Sequence, residues 1–194
     1  MLIKLLISFL FVFFSNSLVF AIKPCNGLAG YKLGEKLNVE NAKFYNESYD
    51  LRYYEVNIIK PFMDFNKCIV GITPNTYLIA SIKLEAEPQK EEKGKQFFEN
   101  IKGVLESHYE ISKIDKNDDP GVFVSDITYE FPNNRIMCVK KVEPLFSSYI
   151  NVKLEVQDKN LLKLGINETK KNKEEAIEKA KQEAIKNTDT SGLE

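Results

Sequence analysis

The chain has 194 residues and a formal net charge of −1 at neutral pH, with 27 basic and 28 acidic side chains. Hydrophobic residues make up 43% of it, which is enough for a core and excludes a disordered secreted peptide. A near-neutral chain without a basic face gives no electrostatic reason to bind nucleic acid, so we expect no nucleic acid partner.

The first 21 residues have the pattern of a secretory signal peptide. Lys4 precedes an apolar run from Leu5 to Phe14, and the small residue Ala21 ends the segment. We expect cleavage between Ala21 and Ile22. A retained transmembrane anchor is the weaker alternative, because Ser15 to Ser17 interrupt the run at about half the roughly 20 apolar residues that span a bilayer. The sequence therefore predicts an exported protein without stable membrane insertion after cleavage.

Beyond the leader, residues 22–165 are expected to form a single domain, followed by a charged tail over 166–194. The opening of this domain, Gly27 to Gly34, resembles that of small bacterial envelope domains such as the lipoproteins of the β-barrel assembly machinery. The resemblance covers only this short stretch and carries over no functional residue. The small residues here predict a turn or short strand, and then a brief helix near Asn38 to Phe44.

Alternation of apolar and polar residues predicts six strands in two groups of three. Each strand has the period of two that buries one face of a sheet. Pro74 to Thr76 and Pro132 to Asn134 supply turns within the two groups. The alternating apolar positions are Tyr54, Val56 and Ile58; Cys68, Val70 and Ile72; Leu78, Ala80, Ile82 and Leu84; Ile127, Tyr129 and Phe131; and Ile150, Val152, Leu154 and Val156. The remaining strand is predicted from Arg135 to Val142, directly after the second turn.

Between the two groups, Pro88 to Tyr109 has a helical period, with Phe97, Ile101 and Leu105 on its apolar face. A second helix, rich in Lys and Glu, is predicted from Thr169 to Lys186, and the last eight residues should fray. The sequence thus predicts an α+β fold: an antiparallel sheet of about six strands with one amphipathic helix packed on it, plus a charged C-terminal helix.

Three cysteines would meet an oxidising compartment after export, where thiols tend to pair. We expect a disulfide from Cys25 to either Cys68 or Cys138, with the third thiol left over. The alternative is three free thiols that pack as small hydrophobic residues. The cysteines are too widely spaced for a zinc site.

The acidic segment Asp115 to Gly121 is the one candidate for a metal site. Asp115, Asn117 and Asp119 alternate as the first ligands of a calcium loop do. Pro120 occupies the sixth position, where such loops need Gly, so a solvated acidic turn is the favoured interpretation. No other metal site and no cofactor is predicted.

Catalytic motifs are missing from the sequence. The chain has a single histidine, His108, which the helical period places on the apolar face of the central helix. No nucleophile elbow, P-loop or dinucleotide-binding glycine pattern is present. We therefore expect a protein that is not an enzyme.

A tyrosine-rich segment offers the best candidate contact surface in the sequence. Tyr45, Tyr49 and Tyr53 alternate with polar residues, and tyrosines give a large contact area at low entropic cost. Ordinary packing of these rings is the competing interpretation.

Two hypotheses for function follow from these patterns. The favoured one is a non-enzymatic binding or assembly module of the bacterial periplasm, which contacts a protein partner through a sheet face or the segment Tyr45 to Tyr54. The alternative is a small periplasmic hydrolase or calcium or ligand carrier, whose site would use acids such as Asp115, Asp119 and Glu130.

Overall fold

The computed structural model describes residues 23–40, 42–48, 50–119, 124–144 and 147–186. The predicted signal peptide, its Ala21 to Ile22 cleavage site, Tyr49, Pro120, Gly121 and the last eight residues lie outside these ranges. The strands are β1 (Gly27–Leu28), β2 (Tyr31–Lys32), β3 (Lys43–Ser48), β4 (Leu51–Val56), β5 (Phe65–Ile72), β6 (Ile79–Ala86), β7 (Gln89–Lys90), β8 (Lys113–Asp119), β9 (Val124–Glu130), β10 (Arg135–Val142) and β11 (Tyr149–Asp158), and the helices are α1 (Glu91–His108) and α2 (Lys159–Lys186).

The main sheet is antiparallel, in the order β3-β4-β5-β6-β11-β10-β9-β8, with the short β7 paired to β11 beside this path. It consists of two four-stranded meanders that meet where β6 pairs with β11. The predicted α+β class is confirmed, and the six predicted strands correspond to β4, β5, β6, β9, β10 and β11.

Two further strands, β3 and β8, form the outer edges of the sheet. The brief helix expected near Asn38 to Phe44 is wrong, because β3 begins at Lys43 and pairs with β4, Phe44 opposite Tyr54. The expected acidic turn is also wrong over Lys113–Asp119, which pairs along its length with β9. Backbone hydrogen bonds to a neighbouring strand keep β3 and β8 in the sheet. Neither strand has the alternating apolar residues from which a strand is predicted in sequence.

Helix α1 covers one face of the sheet and closes the main core. Its apolar residues Phe97, Phe98, Ile101 and Leu105 are buried, and burial of such side chains stabilises the fold by about 1.5–3 kcal/mol each. The helix begins at Glu91 rather than at Pro88, because β7 precedes it. The sheet supplies the opposing residues of this core, among them Val70, Ile82, Leu84, Tyr129, Met137, Val139, Leu154 and Val156.

A β-bulge where β5 pairs with β6 changes which residues at the start of β6 pair with β5. Gly71 pairs with Ser81, but the next residue, Ile72, pairs with Ile79, so Ala80 is left out of the ladder. Ile79 therefore joins the core cluster, and Ala80 is buried as predicted but outside that cluster.

Helix α2 begins at Lys159, directly after β11 and well before the predicted Thr169. The carboxylate of Asp158 accepts hydrogen bonds from the backbone N–H groups of Asn160 and Leu161, which starts the helix. Gly165 and Glu168 are buried, so the boundary expected at residue 165 falls inside the docked part of the helix. Residues 173–186 are exposed.

Within the described ranges, neither helix combines the length and the apolar content required to cross a membrane.

The predicted disulfide is not present: Cys25, Cys68 and Cys138 are all free thiols. Cys25 and Cys68 belong to the core on the α1 side of the sheet. Cys138 alternates with the core residues Met137 and Val139 on β10, so it faces the opposite side. The sheet itself therefore separates Cys138 from the other two.

Candidate functional site

The sheet face opposite α1, called the open face from here on, is covered by the first turns of α2 only near β4, β6 and β11. The anchor is Glu168, whose carboxylate accepts hydrogen bonds from the backbone N–H of Asn75 at 2.6 Å and the hydroxyl of Thr76 at 2.8 Å. Gly165 lets the helix approach the turn before β4, since a Cβ there would lie 2.3 Å from the carbonyl oxygen of Asp50.

A cavity of about 330 Å³ opens on this face where the two meanders meet. We call it the lysine cavity; it is lined by Lys83, Cys138, Lys140, Val142, Lys153 and Glu155. These residues lie on the three neighbouring strands β6, β11 and β10. A second cavity of about 410 Å³ adjoins it and shares Val142 and Lys153.

Two of the three lysines around the lysine cavity form ion pairs with carboxylates. Lys153 Nζ donates to Glu85 Oε1 at 2.8 Å, and Lys83 Nζ lies 3.7 Å from Glu155 Oε2. The other carboxylate oxygen of Glu155 accepts hydrogen bonds from Ser81 at 2.7 Å and Gln157 at 2.8 Å. The single carboxylate that lines the cavity is therefore held within the sheet's own network.

Lys140 forms no ion pair with any described residue. Its direct cross-strand neighbour on β11 is Lys153, and like charges in this position destabilise a sheet. Its neighbour on β9 is Asp126, whose carboxylate accepts a hydrogen bond of 3.5 Å from Asn117. Lys83 and Lys153 thus have carboxylate partners, whereas Lys140 has Asp126 as a cross-strand neighbour but no ion pair with it.

Cys138 contributes a thiol to the wall of the cavity. Burial raises the pKa of this thiol above its ordinary value, and a hydrogen bond from Thr128 partly opposes that effect. Cys138 therefore contributes a neutral thiol to the cavity wall at pH 7.

The outer edge of the sheet at β3, called the β3 edge (Lys43–Ser48), is a second candidate surface. All six of its residues are exposed. Phe44 and Tyr45 are 54% and 47% exposed although both are large and apolar. A register shift between Phe44 and Asn46 bulges the strand at Tyr45.

Two of the tyrosines predicted as contact residues, Tyr45 and Tyr53, differ in exposure. Tyr45 lies on the β3 edge, and the ammonium of Lys67 lies 4.6 Å from its ring centroid. Tyr53 is half-buried on the open face in β4, and burial raises the pKa of its phenol. Tyr49 is outside the described residues, and Phe44, which the sequence did not single out, is the more exposed aromatic on this edge.

Two of the acids proposed for a calcium or hydrolase site, Asp115 and Glu130, are held in separate ion pairs. Asp115 accepts a hydrogen bond from Lys113 at 2.6 Å, and Glu130 accepts one from Lys159 at 3.1 Å. The backbone of Asp119 ends β8, an edge strand in place of a calcium loop. Over the described residues, no three potential ligands among His, Cys, Asp and Glu come together as a metal site would require.

His108 ends α1 in an exposed position, not on its apolar face. Its Nδ1 lies 3.0 Å from the carbonyl oxygen of Val104 and 2.9 Å from the hydroxyl of Ser107. These contacts fasten the last turn of the helix.

The lysines of the cavity occupy polar positions in strands that the sequence predicts. Sequence reasoning did not identify them as members of one site. The signal that could have done so is their strand parity, which puts Lys83 and Lys153 on the polar face of their strands. The missing information was the order β6-β11-β10, which joins strands far apart in the chain.

Comparison with known protein families, with characterised proteins and with solved structures finds no match to this chain.

Proposed function

We propose that the protein is an exported binding module that acts through protein contact, not catalysis, and that the β3 edge pairs with a strand of its partner. The observation that carries this proposal is an edge strand whose six residues are all exposed and include two large, half-exposed aromatic rings. Added strands gain main-chain hydrogen bonds from such an edge, and side chains beside it give specificity.

The two edges of the sheet support this choice by their contrast. The β8 edge has the sequence KIDKNDD, and charged side chains of this kind discourage pairing with another chain. The β3 edge has the sequence KFYNES, in which adjacent aromatic residues offer contact area instead. The β3 edge has two charged residues where the β8 edge has five, so the β3 edge is the one expected to receive a partner.

The proposed location is the bacterial periplasm, and the partner is a protein of the cell envelope. The leader pattern over residues 1–21 supports export, with a mature chain that begins at Ile22. The bias toward Lys, Asn and Ile is typical of an AT-rich bacterial genome.

The test is site-specific photo-crosslinking in the native host. Benzoylphenylalanine is placed at Tyr45 in the full chain, and mass spectrometry of the adducts from the envelope fraction identifies the partner and the N-terminus of the mature chain. We expect one dominant adduct at Tyr45 on a chain that begins at Ile22. The matched control carries the crosslinker at Ile114, which is 41% exposed on the opposite edge.

The yield of the Tyr45 adduct should fall strongly when Phe44→Lys is added, because this change puts a charge beside the pairing strand. Phe44 is exposed, so the substitution should leave the fold intact. Circular dichroism verifies that the fold is retained. Equal adducts at Tyr45 and Ile114, or an adduct at Tyr45 that is insensitive to Phe44→Lys, would contradict pairing at the β3 edge. A chain with Met1 intact would contradict cleavage after Ala21, and such a chain recovered from the cytosol would contradict export.

A further inference from the structure

The lysine cavity is a separate feature from the β3 edge and has a different chemistry. Three ammonium groups, of Lys83, Lys140 and Lys153, line it together with one carboxylate, Glu155. The carboxylate is engaged on both oxygens, by Ser81 and Gln157 on one and by Lys83 on the other. Three lysines against one carboxylate give the lining a positive net charge, with Glu85 beside Lys153 and Asp126 beside Lys140 at its margin.

Lys140 is exposed on the open face, with Lys153 as its neighbour on β11 and Asp126 as its neighbour on β9. It stands directly opposite Lys153 in the β10–β11 ladder, and no described carboxylate forms an ion pair with it. An anion placed between Lys140 and Lys153 would form an attractive contact with each of them.

The size and the remaining walls of the cavity limit the ligand. A volume of about 330 Å³ is at the lower end of the range for small-molecule sites, so a peptide or a lipid is too large to be enclosed. Val142 and the protonated thiol of Cys138 add neutral surface. Lysine ammonium groups are compact point charges that suit carboxylate and phosphate oxygens.

We propose that the lysine cavity binds a small organic anion, with its carboxylate or phosphate group held between the ammonium groups of Lys140 and Lys153 and its neutral part against Val142 and Cys138.

The test uses the full chain with citrate and inorganic phosphate as separate probes and glucose as the uncharged control, at constant ionic strength. Binding is measured by amide chemical-shift changes in two-dimensional NMR spectra. We expect saturable shifts at residues of β6, β10 and β11 around the cavity with at least one of the two anions and none with glucose. Comparison of the two anions distinguishes a carboxylate ligand from a phosphate ligand.

Cys138 provides a second readout in the unsubstituted protein. It is the only half-exposed thiol, because Cys25 and Cys68 are buried. Alkylation by iodoacetamide, followed by mass spectrometry, should therefore occur first at Cys138. The bound anion should slow this alkylation, since it occupies the cavity that the thiol lines.

Lys140→Gln should raise the dissociation constant about tenfold, the loss expected for one charge-assisted hydrogen bond, and should shift the protection of Cys138 to about tenfold higher anion concentration. Lys67→Gln is the matched control: Lys67 lies on the same face beside Glu85, at 3.9 Å, but outside the cavity. Saturable shifts lost in Lys140→Gln and kept in Lys67→Gln would support the site. No shift with either anion, or equal weakening by both substitutions, would overturn it.

Discussion

Cys25 and Cys68 illustrate at the residue scale how burial sets chemistry. Both side chains lie in the core on the α1 side, where loss of water disfavours the thiolate. Burial raises the pKa of Cys25 to about 11 and that of Cys68 to about 12. Two thiols that remain protonated are poor nucleophiles and behave as small apolar residues.

This burial predicts a loss of stability in alkali. The unfolded thiols ionise near pH 9, well below their folded pKa values, so their contribution is complete below pH 9 and declines as the pH rises toward 11–12. We expect the free energy of unfolding from urea titrations to fall by about 1 kcal/mol per thiol between pH 8 and pH 10.

The double variant Cys25→Ala with Cys68→Ala serves as the comparison. It should be less stable at pH 8 because small cavities remain, but its stability should change much less between pH 8 and pH 10. The same pH dependence in the variant and the unsubstituted chain would refute the assignment. The pH range stops at 10 because the buried phenol of Tyr129, whose pKa is also raised by burial and by Glu106, begins to contribute beyond it.

At the scale of elements, α1 is held by close contact with β11, and its two glycines have opposite surroundings. A Cβ on Gly94 would lie 2.6 Å from the Cβ of Ile150, whereas a Cβ on Gly103 would meet no atom within 4 Å. Glycine inside a helix costs about 1 kcal/mol relative to alanine. Gly94 is therefore required for the close packing of α1 on β11. Gly103 only lowers the helix propensity of α1 and makes no compensating contact.

The two positions make a matched pair of substitutions. Gly103→Ala should raise the free energy of unfolding by about 0.5–1 kcal/mol, because the helix gains propensity without a clash. Gly94→Ala should lower it by about 1–3 kcal/mol, because Ile150 or the helix must move. Thermal and urea unfolding of both variants measure the difference, and stabilisation by Gly94→Ala would show that α1 does not pack on β11 at this distance.

At the scale of the whole molecule, α2 joins two parts of the chain that are remote in sequence. Glu168 binds the turn between β5 and β6 through the N–H of Asn75 and the hydroxyl of Thr76. The helix beyond this contact carries exposed Ile177 and Ile185 and ion pairs at helical spacing, such as Lys171 with Glu175. Its stability there depends on local interactions, not on the sheet.

Two truncations separate these parts of α2. A chain that ends at Lys173 should keep the free energy of unfolding of the full chain, because every described residue removed is exposed. A chain that ends at Leu164 should lose about 1–3 kcal/mol or more, since the β5–β6 turn loses the carboxylate that accepts its hydrogen bonds. Urea unfolding measures both, and equal stability of the two truncated chains would disprove the anchoring role of Glu168.

The elements predicted correctly are those with a strong local period. Ile150 to Val156 and Phe97 to Leu105 reveal their strand and helix because the alternation lies within a few residues of sequence. The β3 edge and β8 lack such a pattern, so the sequence predicts a helix at Lys43 and a turn at Asp115. Both segments are strands in the fold because a neighbouring strand supplies their backbone hydrogen-bond partners.

The amino-acid sequence by itself determined the α+β class, the six inner strands and the central helix, because burial of one face imposes a period that local residues display. Only the tertiary structure decided that β6, β11 and β10 are neighbours, and thus that Lys83, Lys153 and Lys140 surround one cavity. It also decided that Cys138 lies across the sheet from Cys25 and Cys68. Such facts depend on pairing between distant strands, which the free energy of the whole fold selects and no local pattern encodes.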